Sequence, residues 1–62
     1  MKFLQATTTD GKTEYFNLNR ILTITPIDGE RVKILMGAGL FWHADRDSLR
    51  VWDMSDKEIE NI

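Results

Sequence analysis

One histidine sits among acids in His43-Ala44-Asp45-Arg46-Asp47, the first place to look for chemistry. A carboxylate two residues along an extended chain shares the histidine's side and can orient an imidazole. The arrangement stops short of a catalytic set. The chain has no Cys, and no Ser lies in a nucleophile motif. Ten carboxylates in 62 residues form chance pairs, and none has the apolar surroundings that raise a pKa for acid catalysis. His43 therefore reads as a surface residue beside a polar turn. No catalytic residue and no enzyme activity are expected.

Metal and phosphate chemistry fare little better. His43, Asp45, Asp47 and Asp53 are the available metal donors, but Asp45-x-Asp47 lacks the Gly and closing Glu of a calcium loop. No metal and no cofactor are expected. Gly37-Ala38-Gly39 has no third Gly, no Lys-Ser/Thr and no following helix, so it matches no phosphate-binding fingerprint. Gly37 and Gly39 remain a candidate ligand loop only if subunits meet beside Phe41 and Trp42. That would make the chain a small-ligand binder.

Arg31, Lys33 and Arg50 are candidate contacts for single-stranded nucleic acid, because cations interleaved with aromatics suit stacked bases. The overall balance opposes this. Net charge is −2, from 8 basic and 10 acidic residues. Six of the acids are spread through the same region as these cations, where a nucleic-acid binder carries a basic excess.

The six aromatics say most. Phe3, Phe16 and one of Phe41 or Trp42 fill the small core. Adjacent residues of a strand point to opposite sides, so burying one of Phe41 and Trp42 presents the other. Val51 and Trp52 pose the same choice. Tyr15, Leu35, Phe41 and Trp52 are the expected interaction surface, since several apolar groups on one sheet face mark an interface.

These residues need a scaffold, and composition bounds it. With 42% hydrophobic and 29% charged residues, the chain is too apolar for disorder. No apolar run approaches the ~20 residues of a membrane span. The polar turn of Met1-Lys2-Phe3-Leu4-Gln5 does not suit a signal peptide, so a cytoplasmic location is expected. One domain over residues 1–62 is the natural reading. Below roughly 70–80 residues a core rarely supplies more than about 3–5 kcal/mol, and small chains recruit disulfides, metals or partners. Without cysteines, a partner surface is the remaining support.

Turn chemistry divides the chain. Asp10-Gly11 and Asp28-Gly29 each separate runs rich in β-branched and aromatic residues, which reads as two hairpins with type I′ turns and positive φ at both central positions. Strands are expected over 2–8, 13–18, 21–27, 31–36, 40–44 and 49–52. Within them Val32, Ile34 and Met36 face one way and Arg31, Lys33 and Leu35 the other. Leu22 and Ile24 share a face, and Pro26 confines its strand to an edge or ends it. Ser55-Asp56-Lys57-Glu58 is a capping box that starts a short helix over 56–61, docked through Ile59 and Ile62. The expected fold is mainly β, a twisted antiparallel meander or small SH3-like barrel of four to six strands with a short C-terminal helix.

Asp10-Gly11-Lys12, then Tyr15-Phe16-Asn17-Leu18-Asn19-Arg20-Ile21 and Ile24, followed by Val32-Lys33-Ile34 and a later Gly, resembles small proteins of the FlbD/SwrD type over residues 3–39. The resemblance implies a strand, a Gly turn, a hydrophobic-x-Asn-x-x-x-Ile segment, a second hairpin and a brief terminal helix. It also implies no catalytic residues. Members are linked to bacterial flagella, and short phage-encoded chains look similar. After Gly39 the sequence departs: Phe41-Trp42-His43 and Trp52 replace the family's polar strand and acidic helix start, so the flagellar role is not carried over. The expected role is protein–protein association, as a homo-oligomer or as an adaptor or inhibitor of a larger protein.

Overall fold

The period-two pattern of Lys2-Phe3-Leu4-Gln5-Ala6-Thr7 makes a strand with two unlike sides. In the computed structural model, which describes residues 1–54, it forms β1 (Lys2–Thr7). It is flanked by β2 (Thr13–Asn17) and β6 (Arg50–Asp53) in one three-stranded antiparallel sheet, order β2-β1-β6. A second antiparallel sheet has the order β3-β4-β5, from Thr23–Pro26, Arg31–Gly37 and Leu40–Asp45. The chain is mainly β. The helix expected over 56–61 lies outside the described residues. Among the described residues no helix is long and apolar enough to cross a membrane.

Alternate residues of β1 bond to opposite neighbours. The Thr8 N–H donates to the Lys12 carbonyl at 2.8 Å, on the β2 side, and the Met54 N–H donates to the Met1 carbonyl at 2.9 Å, on the β6 side. The two sheets meet where Thr8 bridges Ala44 and the Thr9 N–H reaches the His43 carbonyl at 3.1 Å. Between them lie Leu4, Ala6, Phe16, Val32, Ile34 and Ala44, all buried. Leu18, Ile21, Met36, Trp42 and Leu49 pack around this cluster. Phe16 and Trp42 cross the gap edge to face, ring centres 5.1 Å apart. Such a pair adds about 0.5–1.5 kcal/mol beyond its buried area.

The turns differ from the type I′ expectation. No non-glycine among the described residues has a positive φ. At the first hairpin the Gly11 N–H donates to the Thr8 carbonyl at 2.9 Å, and Gly11 alone takes positive φ, at 86°. Thr9-Asp10-Gly11 is thus a three-residue loop in which glycine supplies the left-handed step after an ordinary turn. At the second hairpin even Gly29 keeps a non-positive φ. Its loop is held by the Asp28 side chain, which accepts from the backbone N–H of Glu30 at 2.8 Å and of Arg31 at 2.9 Å. At Gly37-Ala38-Gly39 the register shifts between Leu35 and Gly37, a bulge, and Gly39 turns the chain with φ 73°.

Other expectations need correction. Phe3 is not core: it stands on the far side of β1, and Leu4 and Ala6 point inward. The strand expected over 21–27 is shorter because Asn17 caps a 3-10 turn, Leu18–Arg20, which ends on Ile21. Ile21 therefore folds onto the core while Leu22 is 63% exposed. Leu18 likewise leaves β2 for that turn. A second 3-10 turn, Arg46–Ser48, precedes β6, so that Leu49 packs inward before the strand begins.

Candidate interaction surface

The registers of β1 lay out the outer face of the first sheet as a small lattice. Asn17, Phe3 and Trp52 form one row and Tyr15, Gln5 and Arg50 the next, with Thr13 and Thr7 beyond. Directly opposed residues of antiparallel strands share a side, so these eight face the same way. None is acidic. In a chain of net charge −2 this face is aromatic, amide, hydroxyl and one cation. The Trp52 indole N–H donates to the Gln5 side-chain oxygen at 2.7 Å, which draws the ring diagonally across β1. Trp52 stays 47% exposed and Tyr15 44%.

On the other side of β6 the core of the described residues runs out. Val51 opposes Leu4 and shares its side, yet Leu4 is buried and Val51 is 62% exposed. All four residues of β6 are exposed, and so are all four of β3. The two edges are unlike. The Ile27 N–H donates to the Arg31 carbonyl, so alternation turns Pro26 away from β4, where its missing N–H costs the ladder nothing and blocks an incoming strand. On β6 the Met54 bond to Met1 sets the opposite phase: Arg50 and Trp52 bond to β1, while the N–H and C=O of Val51 and Asp53 point outward. Asp53 itself faces the N-terminal ammonium at 3.5 Å.

The four expected interface residues fall on two sheets. Tyr15 and Trp52 share the lattice just described. Leu35 and Phe41 are directly opposed on the outer face of the second sheet, with Lys33 and His43 one row on. There the Lys33 ammonium sits 4.5 Å over the Phe41 ring, and His43 lies 5.3 Å from it. Phe41 is partly covered by its own neighbours, an arrangement worth about 0.5–1 kcal/mol at an exposed site.

The basic trio is divided in the same way. Arg31 and Lys33 lie on the second sheet, Arg31 ion-paired with Asp28 at 3.2 Å. Arg50 lies on the first, its guanidinium donating to the Leu49 carbonyl at 2.9 Å and to the Asp47 carbonyl at 3.2 Å. Gly37 and Gly39 shape the β4–β5 hairpin tip, away from an open cleft of about 380 Å³ that is lined by Glu30, Asp45, Asp47 and Ser48. No group of three or more metal-ligating side chains is assembled among the described residues.

The Trp52–Gln5 contact spans 47 positions, beyond the reach of sequence reasoning, and with it went the outward placement of Phe3. The available signal was the alternation Phe3/Gln5 against Leu4/Ala6, which separates the sides without saying which is inward. No family model, curated protein or solved structure matches the chain.

Proposed function

We propose that this chain is a non-catalytic binding protein that acts by protein–protein association, with itself first, through the β6 side of the first sheet. One observation carries the reading: among the described residues no strand pairs with the outer edge of β6, and its Val51 points to the core side and is 62% exposed, beside a Trp52 that is 47% exposed. An edge of this kind templates pairing with another strand. The two three-stranded sheets joined at Thr8 and Ala44 support an SH3-like roll as the scaffold.

Light scattering on a sizing column, over a concentration series of the full chain, tests the reading. Assembly is expected, lost in Trp52→Asp and retained in Phe41→Asp, with both variants folded by circular dichroism. A chain monomeric throughout, or assembly that survives Trp52→Asp, overturns self-association through this side. Unfolding of Trp52→Asp places the indole in the core and overturns it equally.

A further inference from the structure

Resting on that reading, we propose that a second copy docks by antiparallel pairing of β6 with β6, about a two-fold axis through Val51, to give one six-stranded sheet across a dimer. The backbone phase selects this register. Val51 presents its N–H and C=O outward, so two copies exchange both bonds at Val51, as a hydrogen-bonded antiparallel pair requires. The same axis sets Arg50 opposite Trp52 of the second copy, twice, at the closer non-hydrogen-bonded positions. Arg50-Val51-Trp52 is thus complementary to itself read backwards: arginine and tryptophan at opposed positions on the outer face, free to meet once Arg50 leaves the Asp47 and Leu49 carbonyls, and valine against valine on the core side. The patch is isologous, so the assembly closes at two copies.

The remaining edges fit worse. β3 turns Pro26 outward, and Thr8 and Thr9 already bond to one end of β5. On β2 the outward-bonding residues are Thr13, Tyr15 and Asn17, and the equivalent axis through Tyr15 sets the Glu14 carboxylate against the Phe16 of a second copy. Among the described residues, β6 alone combines an unblocked edge with an uncovered apolar side chain on the core side.

These 62 residues hold no cysteine, so single-cysteine variants report the register directly. Val51→Cys is expected to give a dimer linked on oxidation by a strained, readily reduced disulfide, since the paired Cα atoms lie about 5.5 Å apart while the Cβ atoms of a hydrogen-bonded pair lie wider than the roughly 3.5–4.5 Å of a relaxed bridge. Trp52→Cys is not, because its two copies are offset by two residues along each strand, roughly 8 Å apart. Val51→Lys is expected to weaken the dimer about tenfold or more while the fold persists. Linking by Trp52→Cys, or a dimer that neither links through Val51→Cys nor weakens in Val51→Lys, overturns this register and leaves association through the β6 side standing. A full chain that is monomeric at every concentration overturns both.

Discussion

Ile34 and Val51 are both β-branched, both on the core-facing side of their sheets, and opposite in burial. Replacing each by Thr asks whether the core ends where the structure ends it. Ile34 is 0% exposed. Ile34→Thr removes a methylene, about 0.8 kcal/mol, and buries a hydroxyl, about 1–3 kcal/mol if it stays unpaired. The loss of about 2–4 kcal/mol rivals the roughly 3–5 kcal/mol that a core of this size supplies. With an unfolding entropy of roughly 0.13 kcal/mol/K for 62 residues, the midpoint falls by about 15–30 °C. Val51→Thr keeps the branch at a site 62% exposed and changes stability by no more than about 0.5 kcal/mol, under about 4 °C. The assay is a thermal melt followed by near-ultraviolet circular dichroism and Trp fluorescence, with Trp42 against Phe16 as the core reporter. Protein is kept dilute, so that assembly adds nothing to the midpoint. Equal losses for the two variants would refute the reasoning, because Val51 would then be covered within a single copy and β6 would not be an open edge.

The two Asp-Gly turns respond differently to the same change. Gly11→Ala costs about 1–2 kcal/mol, purely conformational since no atom lies within 4 Å of the added methyl, whereas Gly29→Ala stabilises by about 0.4–1 kcal/mol; urea midpoints of the same sign at both sites would contradict the assigned turns. Ser48→Ala strands the Thr7 N–H, whose acceptor is the Ser48 hydroxyl at 2.9 Å, and costs about 1–2 kcal/mol; faster amide exchange at Thr7 is the specific readout, and unchanged exchange rejects the link. Bonds from the Glu30 and Arg31 backbone N–H groups hold the Asp28 carboxyl below its ordinary 3.8. A depressed carboxylate stabilises the folded state above the unfolded value and loses that contribution as pH falls through the folded one. The Glu30 and Arg31 amide signals should therefore hold steady from neutral pH down to the ordinary carboxylate range and move below it; movement near pH 6 would reject the Asp28 loop.

Turn positions and strand patterning were written in the chain. Asp-Gly pairs between β-branched runs mark hairpins wherever those runs pair, and the alternation of Arg31-Val32-Lys33-Ile34-Leu35 puts Val32 and Ile34 together because a strand's period is two. Alternation is a relative statement, however. It separates Phe3 from Leu4 and Phe41 from Trp42, but only the opposite sheet decides which side is dry. In the folded chain Leu4 and Ala6 take the dry side, in the same cluster as Phe16 and beside Trp42, and Phe3 takes the other. Turn type escaped for a related reason: the sign of φ at Asp10 follows from loop length, which depends on the bond between Thr8 and Lys12. The split of Tyr15 and Trp52 from Leu35 and Phe41 likewise rests on strand order. By itself the sequence determined that this is a β chain with more apolar side chains than one small core can cover. Only the tertiary structure decided where the surplus is exposed, because solvent exposure depends on which strands have a neighbour.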